Sequence, residues 1–140
     1  MFVDHFEHTL DAKHRLVLPS SFRKKLGERV YLAPQGSSLG VYSVEAFEKV
    51  ATRLQDQVDS HEADMDAALA FASSTVDTAI DKAGRITIPE RLRMSADLID
   101  EVIVAGNISH VQIWNRERYR AKQEHFGDAV TEQFHRGTKN

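Results

Sequence analysis

Apolar and polar residues alternate in two short stretches of this chain, and the two stretches match. Residues 15–18 read Arg-Leu-Val-Leu and residues 85–88 read Arg-Ile-Thr-Ile. A period of two puts Leu16 with Leu18, and Ile86 with Ile88, on the buried side of a strand. A proline follows each run, Pro19 and Pro89. Proline stops a strand and suits the first turn of a helix, so short helices are predicted over about 20–26 and 90–94. Apolar runs at 30–33 and 102–105 predict strands. After loops rich in Gly, Ser and Asn, further strands are predicted at 39–42 and 111–114. Ser43 and Asn115 then stand as N-cap candidates, each opening a helix.

The longer periods are helical. Phe47, Val50, Ala51, Leu54 and Val58 recur on one face. A second, Ala-rich helix is predicted over about 61–72, with Met65, Ala68, Leu69 and Ala72 on one side. A tail helix from about 116 to 134 carries Tyr119, Phe126, Val130 and Phe134, with Gly127 a point of interruption and the final RGTKN read as frayed. Residues 1–9 are read as a strand.

Beneath these patterns lies a duplication. Residues 10–19, LDAKHRLVLP, are echoed by residues 80–89, IDKAGRITIP, so that Asp11 matches Asp81 and Arg15 matches Arg85. Between each acid and its arginine a turn is expected, because Asp bonds its own backbone two residues on. Gly84 suits the positive φ such a turn needs. With a shift of two the match continues: Val30–Ala33 parallels Val102–Ala105, and Val41-Tyr42 parallels Ile113-Trp114. A merely structural arginine is free to drift after duplication, so a geometry shared by both copies is the place to look for function.

Composition narrows the classes. The chain has 140 residues, enough for one domain or two small halves sharing a core. It has no cysteine, which excludes disulfides and thiolate chemistry and fits a reducing compartment. The start, MFVDHFEH, lacks the pattern of a signal peptide, and no stretch is long enough to span a bilayer; a cytosolic location is the expectation. Net charge is −3, but it is unevenly divided. Between residues 45 and 81 acids face only Lys49 and Arg53, whereas Lys13, Arg15, Arg23, Lys24, Lys25, Lys82, Arg85, Arg91 and Arg93 lie around the repeated motif. Screening confines fields to about 8–10 Å, so an acidic molecule can carry a basic binding face.

The MF start, HTLDAKHRLVLPSSFR and DKAGRITIP together resemble the MraZ family of bacterial transcriptional regulators, over nearly the whole chain. The resemblance implies an α+β fold: a pseudo-twofold β-barrel of two tandem AbrB-like swapped-hairpin units. Residues 1–50 and 76–140 would be the units, the second with its C-terminal helix, and 51–75 a helical hairpin connecting them around one shared core. It further implies a ring-shaped, octamer-like homo-oligomer. The implied partner is double-stranded DNA, at short G-rich direct repeats upstream of the division and cell-wall gene cluster. The implied role is repression, with a nucleoid-associated location. Two positions depart from the family pattern: His14 stands where glycine is usual in the first turn, and Asp4 where glycine is favoured near the start.

The proposed chemistry is direct. An arginine fork matches the O6 and N7 acceptors of guanine, a bidentate contact that discriminates by roughly 1–3 kcal/mol. Arg15 and Arg85 are the expected DNA contacts, projecting from the tips of the turns, with Lys13 and Lys82 assisting at phosphates. Asp11 and Asp81 orient the turns and can pin the arginines. His14 either donates to phosphate when protonated or is a passive loop position. Arg23, Lys24 and Lys25 are either a solvated helix face or backbone contacts. His5 and His8 lie three apart, which on a strand puts them on opposite faces, so no metal site is expected. Tyr42 and Trp114 are read as core residues. No phosphate-binding glycine loop, nucleophile elbow or paired-carboxylate motif occurs, and neither catalysis nor a cofactor is expected. The competing class is an antitoxin-like protein-interaction module, which has no need of an arginine repeated in both turns.

Overall fold

The structure, a computed structural model, describes residues 1–138. Both alternating runs form strands and both prolines precede helices. Chain order is β1 (His5–Thr9), β2 (Arg15–Val17), α1 (Ser20–Leu26), β3 (Arg29–Gln35), β4 (Ser38–Ser43), α2 (Val44–Asp59) and α3 (Met65–Ser74). The same order follows again: β5 (Val76–Ala79), β6 (Arg85–Thr87), α4 (Glu90–Ala96), β7 (Glu101–Asn107), β8 (His110–Asn115), α5 (Arg116–Gln123) and α6 (Phe126–Thr138). The helical pair α2–α3 thus has a counterpart in α5–α6. Ser43 and Asn115 cap their helices as their chemistry predicts, accepting from the N–H groups of Ala46 and Arg118.

The fold is α+β with antiparallel sheets. Six strands form one sheet in the order β1-β7-β8-β4-β3-β5, and β2 pairs with β6 in a separate ribbon. The expected closed barrel is not formed by this hydrogen bonding, because β1 and β5 remain edges of the sheet, while β2, between β1 and α1, and β6, between β5 and α4, bond to each other. The halves interlock through exchanged strands. β1 of the first half pairs with β7 of the second, and β5 of the second pairs with β3 of the first.

One apolar core lies between ribbon and sheet. Leu16, Leu18, Ile86 and Ile88 face Leu32, Leu39, Val41, Val102, Val104 and Ile113, all essentially solvent-free, and Phe22, Leu26, Leu92 and Ala96 from α1 and α4 close its flanks. Burying such side chains contributes about 1.5–3 kcal/mol each, so neither half can leave the other without exposing its core. On the far side of the sheet Ile103, Ala105, Trp114 and Tyr119 form a second cluster under α5, and Tyr31 stacks on Phe47 at 4.2 Å. Tyr42 and Trp114 are buried, as read from the sequence.

Helix details differ from the periodic reading. α3 starts at Met65 rather than near residue 61, because His61 at φ 62° turns the chain out of α2 and Asp64 caps the next helix through the Asp66 N–H. Its inward side is Ala68 and Phe71, not Met65 and Leu69, which are 73% and 64% exposed; Phe71 stacks on Phe47 and sets the rotation. The tail breaks at Glu124–His125, before Gly127, which lies inside α6. Of the RGTKN end, Arg136 to Thr138 belong to α6, with Arg136 paired to Glu132, and Lys139 and Asn140 lie outside the described residues. No helix among the described residues is long and apolar enough to cross a membrane.

Candidate nucleic-acid interface

The two repeated turns are built by their aspartates. In the first, Asp11 Oδ1 accepts from the N–H groups of Lys13 and Arg15, both at 2.9 Å, while Oδ2 accepts from Arg15 Nε at 2.7 Å. In the second, Asp81 Oδ1 accepts from Ala83 at 3.0 Å and Arg85 at 2.8 Å, and Oδ2 from Arg85 Nε at 2.9 Å. The backbone closes each turn in the same way, with His14 N–H bonded to the Asp11 carbonyl and Gly84 N–H to that of Asp81, both at 2.9 Å. These donors hold the Asp11 carboxyl at a pKa of about 2; the Arg15 N–H is the largest cause. Asp81 is lowered too, chiefly by the Arg85 N–H.

The arginines are therefore not at the tips of the turns. Ala12 and Lys13, and Lys82 and Ala83, occupy the tips and are exposed. Arg15 and Arg85 stand two steps further on, after His14 and Gly84, as the first residues of β2 and β6, each pinned by its own aspartate. Their side chains remain 27% and 31% exposed, so the ion pairs lie at the surface and not beneath it. Pinning uses Nε alone. Among the described residues the two Nη groups of each arginine make no hydrogen bond, and the fork is left facing outward.

Register then brings both forks onto one face. Arg15 pairs with Thr87, Leu16 with Ile86, and Val17 with Arg85. Leu16 and Ile86 point into the core, so Arg15, Val17, Arg85 and Thr87 all point out. The arginines are diagonal neighbours, about 7–8 Å apart at their Cα atoms. Each end of the ribbon is bonded to the other half's turn: Leu18 N–H donates to the Gly84 carbonyl at 2.9 Å, and Ile88 N–H to the His14 carbonyl at 3.1 Å. The two lysines do not correspond, since Lys13 is the second residue after its aspartate and Lys82 the first. Val17, 44% exposed and opposite Arg85, and Thr87, opposite Arg15, were missed by the sequence reading. The signal was present, because strand alternation puts 15, 17, 85 and 87 on the same side.

The neighbouring basic residues separate. Lys25 is engaged by the N-terminal segment, donating to the Met1 carbonyl at 2.7 Å and lying over the Phe2 ring. Lys24 is exposed, and Arg23 is half-buried against the second turn. The two departures from the expected glycines both fall at left-handed residues, Asp4 at φ 73° and His14 at φ 61°. Asp4 offsets part of that cost by accepting from the His5 N–H at 2.7 Å. His5 is exposed and stacked on Tyr119, while His8 is half-buried; among the described residues no cluster able to hold a metal occurs.

Comparison with known proteins gives a consistent result. The profile of one family, described as "MraZ protein, putative antitoxin-like", matches residues 1–69 and again residues 71–140. The chain is 32% identical over 120 residues to a protein of Finegoldia magna named transcriptional regulator MraZ, covering 85% of this chain and 84% of that one. It is 35% identical over 135 residues to the protein of the same name from Pediococcus pentosaceus, covering 91% and 93%. A third of that name, from Thermoanaerobacter, is 35% identical over 118 residues.

Proposed function

The chain belongs to the MraZ family, and we propose that it is a transcriptional regulator that reads double-stranded DNA with the outer face of the β2–β6 ribbon. The observation that carries this reading is the pair of outward forks, Arg15 and Arg85, each oriented through Nε by an aspartate. The B-DNA major groove admits a two-stranded β-ribbon, and an arginine with both Nη groups free offers the bidentate donor pair that guanine O6 and N7 accept. Successive bases rise about 3.4 Å, so Cα atoms about 7–8 Å apart reach bases roughly two steps apart. Val17 on the same face, opposite Arg85, suits a thymine methyl, and Lys13 and Lys82 at the tips suit the flanking phosphates, with His14 following Lys13.

We infer the finer features from the same reading. The sites are G-rich direct repeats upstream of a division and cell-wall gene cluster, and the effect is repression, with the protein at the nucleoid. Several copies in a ring-shaped homo-oligomer repeat the ribbon in one orientation, which matches direct repeats, and linkage of sites raises avidity by about 10²–10⁴. The interlocked strands are consistent with a swapped-hairpin unit whose pseudo-twofold axis passes through the ribbon.

Arg15→Ala and Arg85→Ala test the reading by titration of G-rich repeat DNA at fixed salt. Each is expected to weaken binding roughly 5- to 150-fold, corresponding to about 1–3 kcal/mol per lost bidentate contact. Wild-type affinity in both would exclude the ribbon as the DNA face and leave the protein-interaction class standing.

A further inference from the structure

The two turns share a backbone but not their surroundings. A Cβ placed on Gly84 would lie 1.9 Å from Arg23 Nη1 and 2.6 Å from its Cζ. The Arg23 guanidinium therefore rests directly on the Gly84 backbone, having crossed from α1 in the first half to the turn of the second. Its Nε is buried with no hydrogen-bond partner, and among the described residues Arg23 enters no ion pair. Burying part of a cation without an acceptor is costly. The carboxylate nearest in sequence to that turn, Asp81, is already committed to Arg85. Lys82 at the same tip adds a third positive charge.

At the first turn the equivalent arrangement is blocked. His14 has the same left-handed backbone, φ 61° against 79° for Gly84, but carries a Cβ where the guanidinium would lie. Arg93, the counterpart of Arg23 seventy positions on, lines a depression beside His14 and donates through Nη1 to the Ile88 carbonyl. One arginine is satisfied internally and the other is not.

We propose that Arg23 is a DNA-backbone contact of the second turn, and that the two turns are consequently unequal. The second clamps a phosphate with a guanidinium supplied by the opposite half, through the space that Gly84 leaves; the first lacks this contact. A phosphate diester is the fitting ligand, because it supplies the anionic acceptor that the unpartnered guanidinium lacks. The inference rests on the DNA reading above and deepens it.

The test is the affinity of the full chain for a G-rich repeat duplex and for an unrelated duplex of equal length, each over a range of salt concentrations. Arg23→Ala is expected to weaken both by a similar factor, on the order of tenfold, and to flatten the plot of log K against log salt by about one. Arg23→Gln, which keeps the length of the side chain, is expected to flatten it equally, and Arg23→Lys to retain it. Gly84→Ala displaces the guanidinium and is expected to act like Arg23→Ala on binding, with little further loss in the double variant. Arg93→Ala is expected to leave the slope unchanged. If Arg85→Ala loses binding while Arg23→Ala, Arg23→Gln and Gly84→Ala keep the wild-type slope, this inference is overturned and the ribbon reading survives. If Arg15→Ala and Arg85→Ala also bind normally, the DNA reading falls with it.

Discussion

At two matched corners the halves share a left-handed backbone and disagree in residue. Gly36 at φ 60° corresponds to Ile108 at 63°, and Gly84 at 79° to His14 at 61°; at a third position Gly27 and Asp97 both have positive φ, but their ψ of −153° and 46° send the chain different ways. One member of each pair is glycine and the other pays the steric cost of its Cβ, about 1–2 kcal/mol. Local bonds hold each costly residue in place. Asp11 bridges the N–H groups on both sides of His14. Ile108 exchanges two backbone bonds with Phe2, at 2.8 and 2.9 Å. The Asp97 carbonyl accepts from Asn115 Nδ2 at 2.8 Å. What the duplication preserves is a path for the backbone. Side chains at its corners have diverged, and with them the chemistry of each turn.

The ribbon should escape that divergence. Leu16 and Ile86 are directly paired and both solvent-free. Leu16→Ala and Ile86→Ala are each expected to cost about 2–5 kcal/mol in urea unfolding, and to cost similar amounts. A large inequality would mean that the shared core is not shared evenly, and the likeness of the halves would be only one of trace.

The hairpin corners offer a sharper contrast. Space around Gly36 is open, since nothing lies within 4 Å of an added Cβ. Gly36→Ala is therefore expected to cost about 1–2 kcal/mol from φ alone, and Ile108→Gly to return a comparable amount as stabilisation. Unfolding midpoints check both. If Gly36→Ala is neutral, left-handed strain is not what distinguishes the corners.

The smallest effect lies in the acid limb. The Asp11 carboxyl titrates at about 2 in the folded chain and near 3.9 when unfolded. Its folded value is depressed, so its contribution is complete above about pH 4 and fades as pH falls toward 2. Unfolding of wild type and Asp11→Asn compared across that range is expected to show a difference that shrinks with acid. A gap that stays constant would show that the carboxylate charge does not hold the turn.

Much of this was legible along the chain. Alternation identified Leu16, Leu18, Ile86 and Ile88 as inward, the prolines placed α1 and α4, and short polar residues marked the caps of α2 and α5. Asp11 and Asp81 were readable as turn builders because their bonds reach only two to four residues. Less local features were not. Periodicity could not show that Met65 and Leu69 face outward, since the rotation of α3 is set by Phe71 stacking on Phe47. It offered no sign that the tail breaks at Glu124–His125.

By itself, then, the sequence determined two like sets of strands, turns and helices, because periodicity, capping and aspartate turns act between residues a few positions apart. Tertiary structure decided that β1 joins β7, that β5 joins β3, that the two arginines share one face, and that Arg23 lies over Gly84. Those are pairings between residues 44 to 100 positions apart. An alternating apolar strand can satisfy its own pattern against either half, so only burial of one common core selects the partner.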